Sequence, residues 1–235
     1  MLGVLLWAIG LFVACFLLGS IPWGVIISRV FFHKDIRDEG SGNIGTTNAM
    51  RSMGKAGGGA VFVLDFGKGV ISGLLATLVA PCIQGSLAVS AAQAGSFGGV
   101  LVATTAPVAE SALALCFGVA FFGCVWGHIF SPWLGFKGGK GIAVAVGCLF
   151  VVFGPVGALL EIAIFAVLVV TTRYVSVGSI AAAAACPFFS LYYLWGHGLA
   201  VALMTVGALT VVWAHRGNIA RLRAGNERRI GDKKK

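Results

Sequence analysis

Charge is scarce in this chain of 235 residues. Only 11% are Asp, Glu, Lys or Arg, and the acids number 8 against 17 Lys and Arg. A soluble globular domain carries about 25% charged residues, so a fold solvated on every side is excluded. A mean hydropathy of +0.96 places the chain in a bilayer. Alternating polar and apolar positions are missing too, and the long continuous apolar runs exclude a closed membrane barrel. Six cysteines, Cys15, Cys82, Cys116, Cys124, Cys148 and Cys186, stand singly without CxxC spacing. That pattern gives neither a disulfide framework nor a zinc site, and it reads as small packing residues. The expected class is all-α: a single polytopic membrane helix bundle over residues 1–235, with no cofactor and no metal.

What is present is a series of apolar runs. Seven spans are expected, at residues 2–28, 60–82, 111–130, 141–153, 156–171, 177–194 and 199–214. The first lacks a basic leader and runs too long for a secretory signal, so it reads as a retained span. Gly154-Pro155 reads as a tight turn between two short spans. The Ala/Gly/Ser/Thr-rich residues 83–110 read as an outer loop or half-helix. With Met1 outside, polar segments 31–55, 131–140, 172–176 and 215–235 lie inside. Sixteen of the 17 Lys and Arg then fall in or beside them, Lys68 being the exception. The positive-inside rule therefore puts the C-terminus in the cytoplasm. Topology and anionic lipid account for the net charge of +9 without nucleic acid.

Three polar islands share that inner side. In "GSGNIGTTNAMR", Gly40 to Arg51, glycines allow close backbone approach while Ser41, Asn43, Thr46, Thr47 and Asn48 offer neutral polar groups. Arg51 adds a two-pronged cation if a helix starts near Thr47. In "FKGGKG", Phe136 to Gly141, Lys137 and Lys140 flank a potential nest of backbone N–H groups at Gly138, Gly139 and Gly141, ahead of a helix beginning near Ile142. Two cations, a nest and a helix N-terminus suit phosphate. It is not a Walker A loop, because Leu134 stands where the first glycine is needed. The third island, "HRGNIARLRAGNE", runs from His215 to Glu227. Asp65 and Lys68, three apart within a span, share a helix face, either as functional groups or as an internal ion pair. Asp65-Phe66-Gly67 matches a kinase triplet with none of its companions. His33 and Asp38 form the His-x4-Asp pair of a different acyltransferase class, which uses thioester donors.

Together with "GSIPWG" at Gly19, "LDFGKG" at Leu64 and "GHIFSPWLGFKGGKGIA" at Gly127, these islands make the chain resemble the bacterial acyl-phosphate:glycerol-3-phosphate acyltransferases of the PlsY type. Ser131 departs from that pattern, which more often has proline there. The resemblance implies transfer of an acyl group from acyl phosphate to sn-glycerol 3-phosphate in bacterial phospholipid synthesis. It implies a multi-pass inner-membrane enzyme with a cytoplasmic active site, in contact with membrane lipid, and a functional link to an acyltransferase that forms acyl phosphate. Lys137, Lys140 and the glycine nest are then assigned to one phosphate. Ser41, Asn43, Thr47, Asn48 and Arg51 take the other phosphate or the glycerol hydroxyls, with the two loops unordered between the substrates. His128, His215 and Asn218 are candidates to orient the hydroxyl or the acyl carbonyl. Either histidine, or a substrate phosphate, is a candidate base. Asp65, Lys68 and Glu227 are supporting residues. A carrier of organic phosphates is the rival from another class; it needs polar groups at mid-membrane and often an inverted repeat, and no repeat is visible.

Overall fold

A computed structural model of the chain describes residues 1–94 and 105–232. Among them there are helices and turns but no strands. The first apolar run is two helices, α1 (Leu2–Ser20) and α2 (Trp23–Phe32). They part at Ile21-Pro22, where proline has no N–H to give. Next come α3 (Thr46–Ala94) and α4 (Thr105–Ile129). The expected outer loop at 83–110 is thus largely a correction: residues 83–94 and 105–110 are helical, and 95–104 lie outside the described residues. Within α3 the backbone leaves helical geometry at Gly54, with φ 71°, a value that glycine adopts without the steric cost of a Cβ.

After a 3-10 turn at Pro132–Leu134, the chain forms α5 (Ile142–Val152) and α6 (Gly154–Thr172). The expected Gly-Pro break separates them, with Gly154 at φ 70° and Pro155 in the first turn of α6. The bundle is completed by α7 (Val175–Tyr193), α8 (Gly198–Ala214) and the short α9 (Arg216–Arg223). Among the described residues, five stretches are long and apolar enough to cross a membrane, and α8 with α9 makes a sixth across a 47° bend. Helix α5, at 11 residues, rises only about 16 Å against a hydrocarbon core of about 30 Å. Length alone therefore supports fewer than the seven spans expected.

In the apolar 18-residue window of Ala109–Leu134, 72% of the residues are buried, against 17% to 33% in the windows of the other four long spans, which makes α4 the central helix. It packs against α1, α3 and α8, while α5 lies on α3 and α6 on α7. Lipid tails give no hydrophobic drive to helix association, so close backbone approach through small residues matters. A Cβ on Gly69 of α3 would overlap the Val144 carbonyl of α5, and one on Gly147 of α5 would overlap the Phe66 carbonyl of α3. The glycine of "LDFGKG" thus seats one helix on another. Leu78, Val170 and Phe188 are among the apolar side chains left facing outward.

One end of this bundle is polar. Ser131 Oγ donates to the Ser20 carbonyl at 2.7 Å, joining the end of α1 to the loop after α4. Arg173, after α6, exchanges hydrogen bonds with Ile230 of the tail. The ends of α1, α4, α6 and α8, and the starts of α3, α5 and α7, accordingly lie on one side.

Candidate active site

The loop before α3 is shaped by Asn48. Its side-chain amide donates to the carbonyls of Ile36, Glu39 and Asn43, at 3.1, 2.9 and 2.9 Å, while its Oδ1 accepts the Ser41 N–H at 2.9 Å. With those contacts Asn48 is only 2% exposed. Its polar atoms hold the loop in shape, and Asn48 also lines the cavity beside the residues it positions. Asn43 Oδ1 accepts the Gly45 N–H at 2.9 Å, closing a small turn. Ser41, Asn43 and Thr47 face a cavity together with Arg51, which the helix starting at Thr46 carries one turn farther in.

The opposite wall is the Gly-Lys loop. The expected nest is corrected at two of its three amides: Gly138 N–H donates to the Ile129 carbonyl at 2.9 Å and Gly139 N–H to the His128 carbonyl at 3.0 Å. Lys137 is exposed and does not line the cavity. Lys140 and Gly141 do, followed by Ile142 and Ala143 in the first turn of α5. Helix first-turn amides lack intrahelical acceptors, so an anion there gains backbone donors as well as Lys140. The two glycines serve a different purpose. A Cβ on Gly139 would overlap His128 Nε2, so the absent side chain makes room for the imidazole.

His128 belongs to a buried triad. Lys68 Nζ lies 3.0 Å from Asp65 Oδ1, 3.0 Å from His128 Nδ1 and 2.9 Å from the Ile21 carbonyl. An ammonium has protons to give and no acceptor; it pairs with Asp65 as an ion pair and donates to the Ile21 carbonyl. Nδ1 of His128 must therefore accept, which places the imidazole proton on Nε2, beside Gly139. His215 has the opposite arrangement. Its Nδ1 is 2.8 Å from the Val211 carbonyl, which can only accept, so Nδ1 carries the proton and Nε2 has a lone pair. Both rings line the cavity. At the α8–α9 junction, burial pushes the His215 pKa down to about 4, only partly offset by the Val211 hydrogen bond.

Glu227 organises the third wall. It accepts from Asn218 Nδ2 at 2.6 Å and from Arg221 Nε at 2.7 Å. Burial alone would raise its carboxyl; those two bonds outweigh it and hold Glu227 below its ordinary value. Arg221 and Arg228 line the mouth beside Arg51 and Lys140, and neither arginine was singled out by the sequence reading. The signal for Arg221 was its i+3 spacing from Asn218 in α9. Thr46, one of the polar groups expected in the first island, lines the cavity, and its Oγ1 is buried without a partner. His33 and Asp38 do not line it.

The cavity holds about 620 Å³. From the polar mouth it passes to Phe121, Val146, Leu149, Ile162, Phe165 and Ala182. Such a cavity admits a molecule with an anionic head and an apolar tail, in a helical integral-membrane protein. The family model described as glycerol-3-phosphate acyltransferase matches residues 9–225. A glycerol-3-phosphate acyltransferase of Rhodopseudomonas palustris (strain HaA2) is 37% identical over 230 residues, 96% of this chain and 99% of that protein. One from Maricaulis maris (strain MCS10) is 40% identical over 221 residues, 93% of this chain and 85% of its own. The crystal structure of PlsY (YgiH), an integral membrane glycerol 3-phosphate acyltransferase, in its glycerol 3-phosphate form, superposes with a TM-score of 0.73. It is 32% identical, over 95% of this chain and 96% of that one. Its lysophosphatidic acid form gives 0.70 at 31% identity, over 95% of each chain. The chain belongs to the glycerol-3-phosphate acyltransferase family.

Proposed function

We propose that this protein transfers an acyl group from an acyl phosphate to sn-glycerol 3-phosphate, at the cytoplasmic face of a bacterial inner membrane. The products are 1-acyl-sn-glycerol 3-phosphate and inorganic phosphate. The observation that carries this reading is the two-ended cavity, with Arg51, Lys140, Arg221 and Arg228 at one end and an aromatic and aliphatic lining beyond. Four cations suit two phosphates, and the apolar part suits the acyl chain. The likeness to PlsY in glycerol 3-phosphate and lysophosphatidic acid forms supports both substrate head and product.

An acyl phosphate is already activated, so the site has to hold two anions and align a hydroxyl with the carbonyl carbon. The glycerol oxygen bonds to that carbon, the carbon–oxygen bond to phosphate breaks, and its electron pair leaves with phosphate. The hydroxyl proton must go elsewhere. His215, held near 4 by burial, is a weak base but a good acceptor at Nε2. It orients the hydroxyl while the departing phosphate takes the proton. His128 Nε2–H and Asn218 are the neutral polar groups placed to stabilise charge on the carbonyl oxygen.

The donor decides between this reading and a thioester enzyme. Purified protein in detergent, given labelled glycerol 3-phosphate and palmitoyl phosphate, should form lysophosphatidic acid, and His33→Ala should retain that activity. Efficient turnover with palmitoyl-CoA, lost in folded His33→Ala and Asp38→Asn variants, would overturn it.

A further inference from the structure

One group in the apolar part of the cavity is out of place for a hydrocarbon site. Glu161 is 3% exposed, lines the cavity, and has no hydrogen-bond partner for its Oε1. It stands eleven residues before the end of α6 at Thr172, about 16 Å along the axis at 1.5 Å per residue. That end of α6 is fixed at the polar mouth, because Arg173 bonds Ile230 and the neighbouring Asn226 and Arg228 line the opening. The carboxyl therefore sits about half of a 30 Å hydrocarbon core below the phosphate-binding groups. Its neighbours along the cavity are Ile162 and Phe165 of α6 and Ala183 and Cys186 of α7. Ser190, one turn past Cys186, donates to the Cys186 carbonyl. Neither an ion pair nor a hydrogen bond explains Oε1, and an ionisable side chain within a span is functional by default.

We propose that Glu161 sets the acyl chain length the enzyme accepts. The inference rests on reading the apolar part of the cavity as the acyl site. A chain that ends above Glu161 lets the carboxyl keep a water partner. A longer saturated chain presses methylenes against it, removes that partner and returns no hydrogen bond, so the gain from burying those methylenes is offset. Short and medium chains are favoured over long ones by this group alone.

The test compares decanoyl and hexadecanoyl phosphate as donors for the purified full chain, since these end short of and beyond that depth. Glu161→Leu should raise kcat/KM for the hexadecanoyl donor by about tenfold, with the decanoyl value moving less than about twofold. Glu161→Gln, still polar, should keep the wild-type ratio. Glu161→Met replaces the Leu variant if that one melts early. Binding of 1-decanoyl and 1-hexadecanoyl lysophosphatidic acid, followed by calorimetry, should show the same shift without turnover. An unchanged length ratio in a Leu or Met variant that melts like wild type overturns the proposal. If acyl phosphates fail and thioesters react, the donor reading falls, and the same ratio measured with decanoyl-CoA and hexadecanoyl-CoA still decides the role of Glu161.

Discussion

Lys140 and His215 share the polar mouth, and burial acts on both against the charged form. Lys140 is pushed down to about 8, first by burial and then by Arg221 and Arg51, with Glu227 opposing. Below that pH it carries its charge; above it, the free enzyme loses one phosphate-binding cation. The kcat/KM for glycerol 3-phosphate, which reports free-enzyme groups, should fall as pH rises through about 8. In Lys140→Arg the guanidinium stays protonated and the fall should move beyond about pH 10. His215, near 4, is neutral from about pH 5 upward. A limb near pH 6, where a phosphate monoester loses its second proton, should therefore survive in His215→Gln; its disappearance would make His215 the base. Residue identities in this site were partly legible. Spacing put Asp65 and Lys68 on one helix face, with an internal ion pair as one of two readings, but His128 stands 60 residues from Lys68 and joins them only through the packing of α4 on α3. The loop-holding bonds of Asn48 were not legible, because a polar side chain in a glycine loop reads the same whether it faces a substrate or the loop's own carbonyls.

At the scale of elements, glycines decide which helices touch. Gly69→Ala should force α3 from α5, because its Cβ would meet the Val144 carbonyl. Overpacking of this kind costs about 1 to 3 kcal/mol, read as a lower melting temperature in detergent. Gly67→Ala, where nothing lies within 4 Å of the added Cβ, should melt within about 0.5 kcal/mol of wild type or slightly higher, since alanine is the better helix former. Equal melting of both variants would remove the packing role from Gly69. One helix break was legible: Gly154-Pro155 reads from the sequence as a turn, whereas residues 2–28 read as a single span and the break at Pro22 is a correction. The length of α3 was not legible. An Ala/Ser/Gly-rich stretch after the span is apolar enough to continue a helix yet too weak in pattern to distinguish from a loop.

For the whole molecule, the polar end and the mouth of the two-ended cavity lie on one side among the described residues, the side that the proposed function sets at the cytoplasm. The Lys/Arg asymmetry supports that proposed orientation; α5 is shorter than a full span, and its entry loop lines the cavity rather than facing lipid. A reporter after Lys235 should read cytoplasmic, and a tag inserted between residues 95 and 104 should be labelled from outside intact cells. Outside labelling of both would reverse the assignment. Membrane class could be argued from composition because a bilayer constrains charge so strongly; the cavity could not, since its walls come from separate helices. The central claim is direct transfer between two substrates held at once. Its most direct test is a single turnover with radiolabelled palmitoyl phosphate, following phosphate, lysophosphatidic acid and protein-bound label together. With glycerol 3-phosphate present, phosphate and lysophosphatidic acid should appear at one rate, with no labelled protein at any time. A burst of phosphate before the lipid product, or acyl label retained on the chain without glycerol 3-phosphate, would contradict the account.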